Sequence, residues 1–366
     1  MRIHFQALAK ELAARGHRVV LIFDPQGKKL PDEIFDLTLP VYSWPTPRFR
    51  SITRVPFFIH LIKKYRPDCL IANFEVTNLM MRIGWLMRIP CRIAWIHSVK
   101  KQYSIDHNGS PHKYHLEPFG RRLVFKAATH ITAVSRDSCE DTYRCLGGPR
   151  KKYKALYLSC PERDDTGYRP DPDGAIGMRL ICPGRLVPSK GQEVLIRAAV
   201  ILSKKYKNLK IEFAGNGPLR KELELLVKKL ALSEVCFFTG MIGHEETIQK
   251  MAASYATVVP SLADAMPLVM AESFSVGTPV VGSNVNGIPE AVSDGLNGFL
   301  FPPGDAEALA QKIDLLLSNP VLRKSMKAAS LRIFRERFSQ KAIIPEQAAW
   351  FEEITSHAKS YGKISD

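Results

Sequence analysis

Short runs of β-branched and aliphatic residues alternate along the chain with stretches whose apolar positions recur every three to four residues. That alternation predicts parallel sheets with crossover helices, an α/β class. The strand runs are VVLIF (19–23), CLIAN (69–73), CRIAWI (91–96), HITAVS (130–135), MRLICPG (178–184), KIEFAG (210–215), VCFFTG (235–240), ATVVP (256–260), PVVGS (279–283) and GFLF (298–301). They fall into two groups on either side of PERDDTGYRPDPDGAIG (161–177), which is rich in Pro, Gly and Asp and has no apolar period. Such a stretch reads as a linker. Two doubly wound α/β domains follow, residues 1–176 and 177–340, and the segment 332–360 reads as one or two helices.

The chain opens differently from that pattern. Phe5, Leu8, Ala9 and Leu12 lie at helical spacing, Gly16 caps the helix, and the first strand run comes only afterwards. In a doubly wound sheet the first strand is central, and the turn after it meets the ligand. The expectation is therefore an N-terminal domain lacking its first strand, about 10 residues of strand and loop. The alternative is a circularised variant or one that begins on an edge helix.

Composition narrows the class. A chain of 366 residues, 45% apolar and 24% charged, is neither disordered nor fibrous and is long enough for two domains. Its seven cysteines are scattered, with no CxxC pair to hold zinc, and read as plain thiols of a reducing cytoplasm. No run of about 18 uncharged apolar residues appears, and the charged, amphipathic start is unlike a signal peptide. A cytoplasmic protein is expected. The formal charge is +16, with 29 Lys and Arg against 17 Asp and Glu up to residue 178, a net of +12, and a net of +4 after it. A basic N-terminal half attracts an anionic membrane leaflet, a nucleic acid or a phosphorylated acceptor, unless it is simply a basic background.

Two segments carry candidate chemistry. In PSLADAMPLVMAESFSVGTPVVGSNVNGIPEAVSDGLNGFLFPPGD (260–305) a strand ends, a loop holds Asp264, and a helix starting near Met266 or Pro267 carries Glu272. Pro267 suits a first helical turn, where the amides of Leu268 and Val269 make an anion site. Two carboxylates bracketing that site fit a diphosphate flanked by two sugars; the plainer reading makes Asp264 an N-cap and Glu272 a solvated helix residue. In LICPGRLVPSKGQEVLIRAAVIL (180–202) a strand runs into Gly184 and Arg185, then Lys190, then a helix with Leu195, Ala198, Ala199 and Leu202 on one face. Two cations thus leave the carboxyl end of a strand, where open α/β sheets bind ligands.

Together these segments resemble the GT4-like retaining glycosyltransferases of the GT-B fold. The likeness spans residues 178–340: GRL…KG, FAGNGPL (213–219), FTGMIGHEE (238–246), the Asp/Glu pair with seven residues between, and GTPVV…G-IPE…G-NGFL. The resemblance implies two Rossmann-like domains facing across a cleft, with residues 341–366 a helix returning to the N-terminal domain. It also implies that Arg185 and Lys190, beside Gly184, hold a donor diphosphate. Glu272 would take the ribose hydroxyls and Asp264 those of the transferred sugar. Main-chain amides of Ala265, Met266, Leu268 and Val269, around Pro267, would complete the contacts, and Met241 and Ile242 would seat the base. No cofactor or metal is implied; a nucleotide sugar is the donor substrate. The family usually has Glu where Asp264 stands, and Asn-Gly-x-Asp where YLSCPERDD (157–165) stands.

In the N-terminal half His97 follows a strand, as a pocket-lining His commonly does in the family, with a structural histidine as the alternative. Asn73 and Glu75 end another strand and are weaker candidates for acceptor binding. GNGPLR (215–220) has Arg220 where a dinucleotide fingerprint has its third Gly, which removes the NAD reading. DPD (171–173) lies in the linker rather than after a nucleotide-binding strand. The stripe of Phe58, Leu61, Ile62 and Tyr65 fits a crossover helix better than a membrane-lying one. The sequence therefore reads as a hexosyltransferase acting on a glycan or lipid-linked acceptor in cell-surface polysaccharide or glycolipid synthesis, peripheral to the inner membrane face, with no nucleic-acid partner. A nucleotide-sugar epimerase of the same fold and a non-catalytic nucleotide-sugar-binding module are the alternatives.

Overall fold

The N-terminal half opens on α1 (Arg2–Ala14), with Leu8 and Ala9 buried where the periodicity puts them, and Gly16 at φ 91° turns the chain out of the helix. This is a computed structural model, and it describes residues 2–23, 39–45, 50–73, 76–106, 126–163 and 178–362. Strands β1 (Leu21–Phe23) and β2 (Val41–Ser43) pair in parallel. A separate parallel sheet runs in the order β3 (Cys69–Asn73), β4 (Cys91–Ile96), β5 (His130–Ala133), β6 (Tyr153–Ala155). A doubly wound sheet carries its first strand between two such pieces. Among the described residues no strand pairs with both of these sheets. Helices α2 (Arg50–Tyr65) and α3 (Thr77–Leu86) cover one face of β3–β5, and Phe58 and Ile62 are buried there with Met80, Met81 and Leu70. The stripe on α2 is thus core, and each such side chain contributes roughly 1.5–3 kcal/mol by burial. Two further helices are α4 (Lys100–Asp106) and α5 (Arg136–Leu146).

The C-terminal half is one six-stranded parallel sheet ordered β12-β11-β10-β7-β8-β9. Its strands are β7 (Met178–Pro183), β8 (Leu209–Ala214), β9 (Cys236–Gly240), β10 (Ala256–Val259), β11 (Val280–Ser283) and β12 (Gly298–Phe301). The crossovers are α6 (Gln192–Lys205), α7 (Arg220–Lys229), α8 (His244–Ala252), α9 (Leu268–Ser275), α10 (Ile288–Ala291), α11 (Ala306–Ser318) and α12 (Pro320–Arg337). Leu195, Ala198, Ala199 and Leu202 of α6 are all buried, on the face their spacing selects. Asp305 and Asn319 cap α11 and α12 through the amides of Ala308 and Leu322. The strand order reverses between β7 and β10, which pair at Ala256 with Leu180. Such a reversal opens a crevice at the carboxyl ends of the two strands.

The last helix, α13 (Gln340–Gly362), crosses back to the first half. Its Ile344, Ala348, Phe351 and Ile354 share a buried cluster with Leu8 of α1 and Trp95 of β4, while Glu352 takes Arg15 at 3.0 Å and His17 at 2.8 Å. The halves also meet near their strand ends. Glu290 of α10 accepts from the amides of Arg136 and Asp137 at 2.9 and 2.8 Å, a carboxylate on the N-terminus of α5 in the other half. Tyr157 donates its hydroxyl to the same carboxylate at 2.8 Å, and Asn286 donates to Asp137 at 2.9 Å. A negative group at a helix N-terminus meets both unpaired amides and the positive end of the helix dipole.

All seven cysteines are free. No helix among the described residues is long and apolar enough to cross a membrane. The linker's DPD and Glu75 lie outside the described residues.

Candidate active site

Two loops meet at the β7/β10 crevice. The first leaves β7 through Gly184 (φ 146°), passes Arg185 and closes in a 3-10 turn, Pro188–Lys190. It is held from outside by the turn after β8: Gly184 donates to Ala214 at 2.9 Å and Leu186 to the carbonyl of Asn216 at 3.1 Å. The approach needs glycine, since a methyl group on Gly215 would stand 1.9 Å from the Gly184 carbonyl oxygen. The GNG run therefore packs one loop on another, which accounts for its glycines without a dinucleotide. Gly191, at φ 61°, lies against the Pro260 carbonyl of the second loop, and Leu262 donates to the Ser189 carbonyl at 2.7 Å.

These contacts bring Lys190 onto Asp264, 74 residues away in sequence, in an ion pair with the lysine 23% and the aspartate 7% exposed. Asp264 is not an N-cap. Its carboxylate also accepts from Ser261 at 3.4 Å, and its amide donates to Asn286 at 3.3 Å. Arg185 is exposed; among the described residues its guanidinium makes no ion pair, and its carbonyl accepts from Gln192 at 2.9 Å. Helix α9 begins at Leu268, a residue later than the sequence places it, because Pro267 keeps ψ 118° and serves as the N-cap. Ala265 and Pro267 are buried, and Met266, Leu268 and Val269 are half-buried around this helix end. The amides of the first turn thus lie just beyond the Lys190–Asp264 pair, on the same loop.

Glu272, one turn into α9, is 9% exposed rather than solvated, and receives His244 Nε2 at 2.9 Å from the start of α8. That hydrogen bond raises the His244 pKa above its usual value, against the effect of burial. Glu245 beside it forms a two-pronged pair with Arg163, at 2.6 and 2.9 Å. Sequence reasoning assigns His244 no role, although a histidine at the first position of a helix following a candidate base-binding loop is an available signal. Of that loop, Met241 is 78% exposed, while Ile242 packs toward Ile181 and Ile248.

From the opposite half, His97 stands at the end of β4, its ring stacked on Trp95 at 6.2 Å, and donates Nε2–H to Asn73 Oδ1 at 2.7 Å. Burial pushes its pKa down to about 3, so the ring is neutral near pH 7. Asn73, read as an acceptor contact, spends its amide oxygen on His97. Trp95 and Val99, flanking His97, share one buried cluster with Ala263 and Ala265, flanking Asp264. Asp106 accepts from the Ser189 amide at 2.9 Å, a further tie between the halves beside Lys190. The stretches that carry His97 and Asp264 thus pack into one buried cluster between the halves. Among the described residues no group of three or more metal-ligating side chains occurs.

Two parallel α/β halves, facing through their strand ends and tied by a returning helix, are the GT-B architecture. The family comparison agrees: residues 1–158 match Glycosyltransferase Family 4, and residues 178–332 match Glycosyl transferases group 1. The chain belongs to these GT4-type glycosyltransferases. It is 29% identical over 241 residues to the alpha-D-kanosaminyltransferase of Streptomyces kanamyceticus, which covers 64% of this chain and 62% of that protein. The chain spans 58% and 47% of the length of two other curated relatives it matches. An uncharacterized glycosyltransferase of Methanocaldococcus jannaschii, MJ1607, matches at 24% identity over 94% of this chain and 92% of its own. Among solved structures, Anabaena Alr3699/HepE in complex with UDP superposes with a TM-score of 0.73 at 20% identity, covering 95% of this chain and 96% of that one. That likeness shows the fold.

Proposed function

We propose that this protein transfers a hexose from a nucleotide-diphosphate sugar to a glycan or lipid-linked acceptor, with retention at the anomeric carbon. The observation that carries the reading is the Lys190–Asp264 pair at the sheet's reversal point, on the loop that leads into the first turn of α9. Breaking a sugar–phosphate bond places negative charge on the departing diphosphate. Cations and helix-end amides stabilise that charge more in the transition state than in the ground state, which is what accelerates a reaction. Arg185 supplies a two-pronged contact to phosphate oxygens and Lys190 a point charge, so the reading needs no metal. In this assignment the diphosphate shares Lys190 with Asp264, whose second oxygen faces the transferred sugar. Glu272 holds the ribose hydroxyls, with Met241 and Ile242 at the base, and the neutral His97 lines the sugar pocket from the other half.

The comparisons support this reading through names borne by relatives: a kanosaminyltransferase, and a neighbour solved with UDP. The basic N-terminal half supports the further expectation of a place in cell-surface polysaccharide or glycolipid synthesis, at an anionic membrane surface. The test is a transfer assay over a panel of nucleotide sugars with membrane lipid extracts and oligosaccharides as acceptors, run with and without EDTA. Acceptor-dependent release of nucleoside diphosphate, unaffected by EDTA, supports the proposal. Epimerised sugar nucleotide formed without acceptor supports an isomerase instead, and loss of activity in EDTA contradicts the metal-free mechanism.

A further inference from the structure

Helix α3 presents two large apolar side chains to solvent side by side, Trp85 at 60% and Leu86 at 70% exposure. They stand on the face opposite the core, since Thr77, Met80, Met81, Ile83 and Gly84 are buried beneath them. The end of the helix is fixed: Met87 donates to Ile83 at 2.8 Å, Ile89 to Gly84 at 2.9 Å, and Gly84 sits so close to Leu70 that a methyl group there would be 2.8 Å from it. Trp85 and Leu86 are thus held out on a rigid ridge rather than on a loose loop.

The surroundings are strongly basic. Arg82 and Arg88 flank the pair and are exposed. The neighbouring α2 ends at the same edge of the sheet, where Lys63, Lys64 and Arg66 are exposed as well. The stretches 63–68 and 82–90 that form this edge carry five Lys and Arg against one acidic residue, Asp68, which is exposed as well. An apolar pair ringed by cations is complementary to an anionic lipid surface. Tryptophan favours the headgroup boundary, leucine reaches the acyl region, and basic residues gain from the leaflet's charge. The edge concerned is the amino-terminal end of β3 and β4, opposite to the end that carries Asn73 and His97, so contact here leaves the cleft open.

We propose that Trp85 and Leu86, with Arg82, Arg88, Lys63, Lys64 and Arg66 around them, form a docking surface for an anionic phospholipid bilayer. This rests on the membrane part of the proposed function and names the surface that performs it. The experiment is co-flotation of the full chain with vesicles of equal parts phosphatidylglycerol and phosphatidylcholine, against phosphatidylcholine alone, at low and high salt. Wild type floats with the anionic vesicles, and salt releases it. Its tryptophan emission shifts to the blue, read in a W350F background so that the change reports Trp85, because Trp44 and Trp95 are already buried while Trp350 is half-buried. W85S/L86S lowers partitioning about tenfold or more. R82E/R88E lowers it about 25-fold or more, at about fivefold for each cation lost. All three proteins keep the same melting temperature, since the replaced side chains are exposed. If wild type ignores anionic vesicles, the membrane reading itself fails. If wild type binds but both variants bind equally well, only this surface is wrong. Equal binding to neutral vesicles, or dimerisation in solution that W85S/L86S abolishes, also overturns the proposal, the latter in favour of a second copy of the chain.

Discussion

The Lys190–Asp264 pair allows a structural role and a chemical role to be separated by one set of variants. Replacing Lys190 with Met keeps the volume of the side chain and removes its charge. Asp264, 7% exposed, would then be left with Ser261 at 3.4 Å as its side-chain partner. Stranding one member of a fully buried pair costs about 3–5 kcal/mol. Here the lysine keeps 23% of its exposure and water reaches the site, so we expect about 2 kcal/mol. That corresponds to a fall in melting temperature of about 4–8 °C. Asp264→Asn alone should cost less, because the lysine can turn to solvent. K190M/D264N should recover most of the lost stability, giving a coupling energy of about 1–2 kcal/mol in the double-mutant cycle. Turnover should behave differently. It falls about 100- to 1000-fold in K190M and is not restored in the double variant, because the phosphate has lost its cation. Thermal denaturation and steady-state transfer on the same four proteins make the measurement. Stabilities that add within about 0.5 kcal/mol would refute the pair. Turnover unchanged in K190M, or regained in the double variant, would refute the phosphate role.

Three further outcomes are expected. Arg185→Ala should leave the melting temperature unchanged, as the side chain is exposed and makes no ion pair among the described residues, yet lower kcat/KM for the donor about 100- to 1000-fold. Gly191→Ala places a methyl group 2.2 Å from the Pro260 carbonyl oxygen at φ 61°, so it should lower stability by more than the roughly 1–2 kcal/mol of the left-handed conformation alone, and weaken nucleotide binding as the two loops separate. His244 has its folded-state pKa raised above 6.5 by Glu272, so the stability it contributes is fully present below about 6.5 and is lost as pH rises through the raised value. The melting-temperature gap between wild type and His244→Gln should therefore narrow with rising pH, and a gap that stays constant from acid to mildly alkaline pH contradicts the pairing.

Much of this was legible in the chain itself. Ten strand runs are present within one or two residues of their expected positions, because a buried parallel strand is a continuous apolar stretch bounded by turn residues. The two strands not anticipated, β2 and β6, are three residues each and partly exposed, too short for any periodicity to register. Arg185, Lys190 and Asp264 stood out through their places after strands, a local property. What was not legible is long-range: the meeting of Lys190 with Asp264, the seat of Glu290 on the far half's helix, and the engagement of Glu272 by His244 and of Asn73 by His97. Each joins residues 24 to 154 positions apart, and no local pattern encodes which carboxylate or amide a side chain will find. The start of the chain illustrates the same limit from the other side. The periodicity of α1 was plain, but only the sheet order shows that β1–β2 and β3–β6 stand as separate pieces.

The central claim is that a diphosphate is bound where the β7 and β10 loops converge. The most direct measurement is a crystal structure of the protein with whichever of UDP, GDP or ADP raises its melting temperature most. The account predicts both phosphates between Arg185, Lys190 and the amides of Leu268 and Val269, with the ribose hydroxyls on Glu272. A nucleotide seated elsewhere, or phosphates directed away from Lys190 and the start of α9, would contradict it.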